Sequence, residues 1–456
     1  MHADTIIIGS GQAGAPLAAR LAEAGQRVVL FEKAHLGGTC VNVGCTPTKT
    51  MIASARAAHV ARGAARLGVR TGRVSVDLGA VVDRKREIVE QWRDGVQRRL
   101  DRAGDRLTLI RAEARFTGPR KVIADGRDYT ADRVIINAGC RPVTPAVPGL
   151  DTVAWLDNAR AMELREVPKH LIVLGGGYIG CELGQMFRRF GTKVTIVDHN
   201  DHLLSREDPD LSLALEEALR GEGMDLRLGT DVKQIEGADG RITVIPKHGR
   251  RIRGTHLLVA TGRRSNADSL NCEAAGIALD ARGFIKTDDN YRTSAEGVYA
   301  VGDVTGGPQF THSSWDDHRI LFDQLMHGAS RNRRDRLIPY AVFTDPPLAR
   351  VGLSEKEAKS RGVPHEVARM PFGSIARAVE TGETAGLLKV LLDPESGRIL
   401  GASIVGLEAA ELIHVFVVMI EAGAPAQALV DAEMIHPALS EGLQSVIMTL
   451  DRYKLK

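Results

Sequence analysis

Cysteine is scarce in this chain. Five cysteines in 456 residues are an odd number and too few for the disulfide framework of a small secreted domain, so a reducing compartment is expected, the cytoplasm by default. Long hydrophobic runs are also missing. The longest apolar stretch, around residues 415–420, falls far short of the roughly 20 residues that span a bilayer. Met1-His2-Ala3-Asp4 leads straight into the apolar residues 5–8 without the basic start or cleavage site of a secretory leader. Nor does one sign of charge dominate. Sixty basic residues against 57 acidic ones leave a net charge of +3, which excludes a global field drawing in nucleic acid or an anionic membrane. The basic run Arg331, Arg333, Arg334 and Arg336 has no interleaved aromatic residues and reads as a solvated loop. No Cys/His cluster has metal-ligand spacing. The expectation is a soluble protein with no metal site and neither a nucleic-acid nor a membrane partner.

Glycine, by contrast, is plentiful. The 48 glycines follow no triplet period and should mark tight backbone sites. At about 150 residues per domain the length accommodates about three domains. One local pattern occurs twice. Residues 5–8 read as a buried strand, followed by Gly9-Ser10-Gly11-Gln12-Ala13-Gly14, an Ala-rich helix to Ala24-Gly25, and a strand over residues 27–31 ending at Glu32. Residues 171–174, Gly175-Gly176-Gly177-Tyr178-Ile179-Gly180, a helix to Phe190-Gly191 and a strand over residues 193–197 ending at Asp198 repeat it, with the same spacing from first glycine to acid.

Each glycine has its own task. The first permits the tight strand-to-helix turn, the second (Gly11, Gly177) lets backbone approach a pyrophosphate, and the third lets helix and strand pack closely, with phosphates at the helix N-terminus. The acid then accepts hydrogen bonds from the adenosine ribose. Two dinucleotide sites in one chain point to a relay, one cofactor resident and one exchanging, with flavin and nicotinamide the natural pair. Val134-Ile135-Ile136-Asn137-Ala138-Gly139 and Leu258-Val259-Ala260-Thr261-Gly262 echo each other as the strands that close the two units.

After the first acid comes Gly37-Gly38-Thr39-Cys40-Val41-Asn42-Val43-Gly44-Cys45-Thr46-Pro47-Thr48-Lys49. Two cysteines at this spacing, with Gly44 freeing the backbone, can come close enough for a redox-active bridge. Pro47 suits the first turn of a following helix, whose dipole would favour a thiolate, with Cys45 the better placed. The plainer reading is a pair of inert thiols in a glycine-rich turn. Cys140, Cys181 and Cys272 are isolated and read as packing residues. His312 and His318, flanking Trp315-Asp316-Asp317, read as packing near a helix N-terminus and the flavin edge. Far downstream, His436 precedes Pro437, which is expected to open the helix carrying Glu441; a carboxylate hydrogen-bonded to imidazole orients it and raises its proton affinity, as a thiol-exchange base requires.

The 37–49 segment, both fingerprints, Thr261-Gly262-Arg263, Val301-Gly302-Asp303 and His436-Pro437-Ala438-Leu439-Ser440-Glu441 resemble, in order and over essentially the whole chain, the flavoprotein pyridine nucleotide-disulfide oxidoreductases. That family includes dihydrolipoamide dehydrogenase, glutathione reductase and mercuric reductase. The resemblance implies an α/β fold: two Rossmann-like dinucleotide-binding domains, for FAD (residues 1–146 and 267–337) and NAD(P) (residues 147–266), and a C-terminal α+β dimerisation domain (residues 338–456). It implies FAD bound one per subunit, with electrons passing from NAD(P)H through FAD and the Cys40/Cys45 disulfide to a small disulfide or other oxidant.

Residue by residue, Cys45 would be the flavin-facing sulfur and Cys40 the interchange thiol. Lys49 resembles the lysine beside flavin N5, paired with Glu182, and Tyr178 the ring covering the nicotinamide pocket. Asp303 would bind the ribitol and Glu32 the adenosine ribose. Gly9, Gly11, Gly14, Ala112 and Thr311 complete the flavin contacts, and Gly175, Gly177, Gly180, Asp198, Gly262 and Arg263 those of the second fingerprint region. His436 would serve the disulfide of the other subunit, implying a homodimer with shared sites.

Asp198 at the ribose position, followed by His199-Asn200-Asp201-His202 without arginines to clamp a 2′-phosphate, favours NADH over NADPH. Met434 stands where dihydrolipoamide dehydrogenases carry a further histidine, and the last cysteine is Cys272, whereas mercuric reductases carry a C-terminal cysteine pair. Residues 302–307, Phe310-Thr311, Asp316-Asp317 and Pro346-Pro347-Leu348 are most similar in texture to the mercuric-reductase-like subgroup that includes the reactive-chlorine-resistance copper reductase. A metal-ion reductase for Cu(II) or Hg(II) using the same thiols is therefore the rival expectation, and a redox sensor with little turnover a third.

The remaining texture implies hairpins. One is expected within residues 226–258 around Asp239-Gly240, and another from residues 385–392 and 399–405, before an amphipathic helix over residues 409–422 stopped by Gly423.

Overall fold

The computed structural model describes residues 1–238 and 240–454, and the chain forms two compact units, neither of them contiguous. Met1–Thr50, Ala80–Val143 and Gly262–Arg336 make the first; Met51–Gly79, Thr144–Thr261 and Leu337–Lys456 make the second.

In the first unit the strands Leu107–Ile110, Val28–Phe31, His2–Ile8 and Arg127–Ile136 lie side by side and parallel. Residues 5–8 and 28–31 are buried without alternation, the signature of parallel strands covered on both faces. The helices Gly14–Glu23 and Thr311–His327 join the core on one face through Leu17, Leu21, Ile320 and Leu321. On the other, Phe31, Val134 and Ile136 share a core with Phe116, Leu270 and Val304. Arg127–Ile136 is long enough to fork. Its first residues pair antiparallel with Lys121–Ala124, and its last pair parallel with Val298–Ala300. With Arg115–Gly118 this makes a meander that the motifs above do not lead one to expect. Its signal is nevertheless present: Asp125-Gly126 connects two strands with φ of 46° and 72°, the twin positive values of a tight hairpin turn.

The second unit repeats the plan. Asp225–Arg227, Lys193–Val197, His170–Leu174, His256–Val259 and Trp155–Leu156 form a parallel sheet with the same succession of edge, acid-bearing, fingerprint and closing strands. The hairpin expected within residues 226–258 appears as Val232–Ala238 against Arg241–Pro246, extended by Ile252–Gly254; Asp239 of its turn lies outside the described residues. Further on, Tyr340–Val342, Leu348–Gly352, Ile399–Val405, Leu387–Leu392 and Glu366–Pro371 form an antiparallel sheet. The helices Ala409–Glu421 and Glu441–Ile447 cover it through Ile413, Phe416, Leu443 and Val446. The second hairpin and the helix after it thus fall where expected.

Inside this unit one buried cation joins the two layers. Lys389, 1% exposed, sits 2.8 Å from Asp208, 3.0 Å from Asp210 and 2.6 Å from Glu355. Asp208 precedes the helix Pro209–Gly221 and also accepts the amides of Glu355 and Lys356 at 3.0 and 2.9 Å. Replacing Lys389 with Met strands these carboxylates in a poorly solvated site. The expected cost is about 3–5 kcal/mol, read by denaturant unfolding of the variant, and unchanged stability would refute the assignment. Burial pushes the Glu355 carboxyl up, but Lys359 and Lys389 outweigh it and hold it down at about 2. This contribution is therefore full above the ordinary carboxylate range and is lost as pH falls toward 2.

Candidate active site

Both fingerprints close on the same contact. A Cβ on Gly14 would stand 1.9 Å from the Gly9 carbonyl oxygen, and one on Gly180 would stand 1.9 Å from that of Gly175. Only glycine lets the helix sit so close to the strand end. Gly9 and Gly175 take φ of 100° and 108°, and side chains there would strike the Asn137 and Ala260 carbonyls at 2.4 and 2.5 Å. The middle glycines differ. Gly177 faces open space, as close approach of a pyrophosphate requires, whereas a Cβ on Gly11 would meet Asn137 Oδ1 at 2.7 Å. Neither helix is capped by the side chain of its own N-cap residue, and a helix N-terminus is the end that favours an anion.

The acids are fastened in parallel ways. Glu32 accepts Ser10 N at 3.0 Å, Ser10 Oγ at 2.6 Å and Ala34 N at 2.8 Å. Asp198 accepts Gly176 N at 2.5 Å, and Asn200 N and Nδ2 both at 2.7 Å. Asn137, given no role by the sequence, ties the first turn together: its Oδ1 accepts Gly14 N at 3.0 Å and its Nδ2 donates to Val301 O at 3.1 Å.

Beside Val301-Gly302-Asp303, the Asp303 carboxylate pairs with Arg263 at 2.7 Å. Arg263 also reaches the Cys140 carbonyl, and the Cys140 thiol donates to Asp303 O at 3.3 Å. Gly262 takes φ of 139°, and Ala112 is buried with its N–H committed to Ile110 O. The solvated-loop reading of the basic run is wrong for Arg336. This side chain is 7% exposed and lies 2.7 Å from Asp317, which also accepts Gly302 N at 2.7 Å and Tyr291 Oη–H at 2.9 Å. Burial forces such a charge to pair, and Asp317 thereby pins the Gly302–Thr305 turn to the Thr311–His327 helix. The other three arginines are exposed or half-buried and pair with Asp316 or Asp289. His312 stacks on Phe310, and His318 is buried against Trp315.

The cysteines sit where two helices begin. Cys45 opens the helix Cys45–Gly63, with Pro47 in its first turn, and its Sγ lies 3.1 Å from the hydroxyl of Thr311, the first residue of Thr311–His327. Cys40, on the short helix Gly38–Asn42, is half-buried and both cysteines are free thiols. Its hydrogen bond with Cys45, then burial, push the Cys40 thiol far above the ordinary range, while Thr311 opposes the rise. Cys45 sits at a helix N-terminus, the end of a helix that favours a thiolate. A Cβ on Gly44 would meet Thr39 O at 2.8 Å, so the loop between the sulfurs needs that glycine. Lys49 is half-buried one turn beyond Cys45. Cys140 and Cys272 are buried and pushed up to about 12 and 11, and Cys181 is raised further, by burial in each case.

In the second unit Tyr178 opens the fingerprint helix Tyr178–Phe190 and is 37% exposed. Glu182 is buried on that helix, and its Oε1 accepts Phe343 N at 2.8 Å. His436 Nδ1 meets Glu441 Oε1 at 2.9 Å, and Ala438 N donates to Glu441 Oε2 at 2.8 Å. Pro437 does not open the helix as expected. The helix begins at Glu441 itself, because that carboxylate folds back to satisfy the preceding segment. Glu441 raises the His436 ring above the ordinary imidazole range, and the Ala438 amide, then His436, lower the Glu441 carboxyl.

Two glycine cradles with fixed acids, one of them in the unit that carries a thiol pair, define a dinucleotide-dependent thiol oxidoreductase. The chain belongs to the pyridine nucleotide-disulphide oxidoreductases: residues 3–317 match that family's model, and residues 338–447 match the family's dimerisation domain. It is an FAD-dependent oxidoreductase that uses a pyridine nucleotide. Among its relatives, the probable pyridine nucleotide-disulfide oxidoreductase RclA of Escherichia coli (strain K12) is 36% identical over 97% of this chain and 98% of its own length. A mercuric reductase of Lysinibacillus sphaericus is 34% identical over 98% of this chain and 83% of its own. The solved structure of the Cu(II) complex of the HOCl-induced flavoprotein disulfide reductase RclA from Escherichia coli superposes with a TM-score of 0.89 at 36% identity, covering 97% of this chain and 99% of that one.

The residues present fit a resident flavin dinucleotide, as the glycine-only cradle at Gly9 and Gly14 and the fixed Glu32 carboxylate show. Two outcomes follow from the geometry. Removing the Thr311 hydroxyl with Thr311→Val should slow alkylation of the reduced pair by iodoacetamide at pH 7 about tenfold, the effect of one hydrogen bond to a charged group, while Thr311→Ser should react like the parent. Equal rates in Val and parent would show that the hydroxyl does not stabilise the thiolate. For the histidine, proton NMR titration should place His436 above ordinary imidazole, and Glu441→Gln should bring its midpoint down; an unmoved midpoint would deny the pairing in solution.

Proposed function

We propose that Cys40 and Cys45 are the redox pair through which electrons from NADH reach a small disulfide. The single observation that carries this reading is the hydrogen-bonded pair of free thiols at the start of the Cys45–Gly63 helix, in the unit that also bears the first dinucleotide cradle. The thiolate of Cys40 attacks one sulfur of the substrate and expels the other half as a thiol. Cys45 then displaces the second half, so that two substrate thiols leave and a Cys40–Cys45 disulfide forms. Bound FAD supplies two-electron transfer from the nicotinamide to that disulfide.

The chain's own residues do the rest. Gly9, Gly11, Gly14, Glu32, Ala112, Asp303 and Thr311 would hold the flavin, with Lys49 beside it. Gly175, Gly177, Gly180, Asp198, Gly262 and Arg263 would serve the nicotinamide dinucleotide, and Tyr178 its nicotinamide pocket. His436, oriented by Glu441, is the base that moves protons to and from Cys40. It reaches the pair of the other subunit in a homodimer, a reading supported by the dimerisation-domain match and by the exposure of His436 and Ile435. NADH is the preferred donor, since Asp198 offers a fixed carboxylate to ribose hydroxyls and no arginine accompanies it. In this reading residues 1–146 with 267–337 serve FAD, residues 147–266 serve the nicotinamide nucleotide and residues 338–456 serve dimerisation, in a cytoplasmic enzyme.

The names of the relatives favour a second reading, reduction of Cu(II) or Hg(II) by the same thiols. There the dithiol gives one electron to each of two Cu(II) ions, or two to one Hg(II), and closes to the disulfide with release of two protons.

Anaerobic addition of NADH to the purified protein should raise a long-wavelength absorption band from a thiolate against the flavin, and Cys45→Ser should abolish it. Cys40→Ser should lower NADH-dependent disulfide turnover by on the order of a thousandfold or more. Assays with lipoamide, glutathione disulfide, Cu(II) and Hg(II) separate the readings, and activity with metal alone would overturn disulfide reduction.

A further inference from the structure

We propose that His199 makes nucleotide choice depend on pH, its protonated ring admitting the 2′-phosphate of NADPH to a site that otherwise favours NADH. This inference rests on the reading of Asp198 as the ribose acid. Asp198 is fixed by three donors, Gly176 N, Asn200 N and Asn200 Nδ2, and so presents a negative charge that cannot swing aside. A phosphate on the ribose meets repulsion there, and discrimination is electrostatic rather than steric.

His199 is the next residue. Its side chain is 73% exposed, with Nδ1 3.5 Å from Asp198 Oδ1, too far for a good hydrogen bond and near enough for charge to act on charge. The ring can therefore turn to a ligand beside Asp198. The sequence alone puts His202 forward equally, but the fold separates the two. His202 Nδ1 lies 3.2 Å from Glu216, a buried carboxylate that also accepts Leu203 N at 3.0 Å, so His202 is committed inward.

The other charged groups around His199 do not supply the same service. Asp231 feels His199 and His248, but Lys247 holds Asp231 at 2.9 Å. Arg227, on the neighbouring strand, is drawn to Asp225 at 3.0 Å, and Asp201 is acidic. Imidazole is the side chain whose ordinary charge change falls between about pH 5 and 8. As pH falls through that range, the ring both offsets Asp198 and offers an N–H to the phosphate.

The test uses the holoenzyme with ferricyanide as acceptor, so that the natural acceptor need not be known. kcat/KM for NADPH divided by that for NADH is measured from pH 8.5 to 5.5. In the parent the ratio should rise about threefold to fivefold on acidification, the scale of an exposed charge pair. The 2′-phosphate also titrates, so the comparison with His199→Gln is decisive: this variant should lose most of the rise, and His202→Gln should keep it. His199→Arg should raise the ratio at pH 8.5 to about the level the parent reaches at pH 5.5. Equal pH slopes in parent and His199→Gln, or no gain in His199→Arg, would overturn the role of His199. A parent that prefers NADPH at every pH would instead overturn the reading of Asp198, whatever the slopes.

Discussion

The structure depends on how closely a helix can be laid against the end of a strand. At Gly14 over Gly9, and again at Gly180 over Gly175, the gap admits no side-chain carbon. That proximity turns a helix N-terminus toward the sheet edge, the end of a helix that favours a pyrophosphate. Everything specific about each site is then hung from the sheet: the acid at the end of the next strand, the closing strand, and the turn that follows it. The same contact made twice accounts for two sheets with one strand order.

On this frame the thiol pair gets its character from helix ends as well. The sulfur that opens the Cys45–Gly63 helix also lies against the hydroxyl that opens Thr311–His327. A residue first read as a flavin contact is therefore also a partner of the cysteines. Further along the same helix, Asp317 is fixed by Arg336, Tyr291 and the Gly302 amide. The helix Thr311–His327 thus carries both a partner of the thiol pair and the acid that fixes the Gly302 turn.

The motifs were legible because their chemistry depends on local spacing. Glycines that must take positive φ, an acid one strand later, two cysteines separated by a short glycine-bearing loop, and a histidine five residues before a carboxylate all reveal themselves within a few dozen residues of one another. Partners far apart in sequence were not legible. Asn137 serves Gly14 and Val301, and Arg336 meets Asp317 only when the segment after the Thr311–His327 helix folds back onto it. The meander that Arg127–Ile136 completes is signalled locally by Asp125-Gly126, whose twin positive φ values mark a tight turn. Pro437 misled because a proline at a helix start is a statistical preference, whereas the Glu441 side chain satisfying Ala438 N and His436 is a specific interaction.

The amino-acid order by itself determined the duplicated α/β plan, the thiol chemistry and the family, since each rests on backbone conformations and side-chain pairs set by neighbours along the chain. Tertiary structure decided how equivalent side chains are partnered. Two cysteines are alike on paper until a helix end and a threonine hydroxyl distinguish them, and two histidines follow Asp198 until a buried glutamate takes one of them. The reason is that charge and proton affinity are set by the whole surroundings of a group, and those surroundings are assembled from segments that only folding brings together.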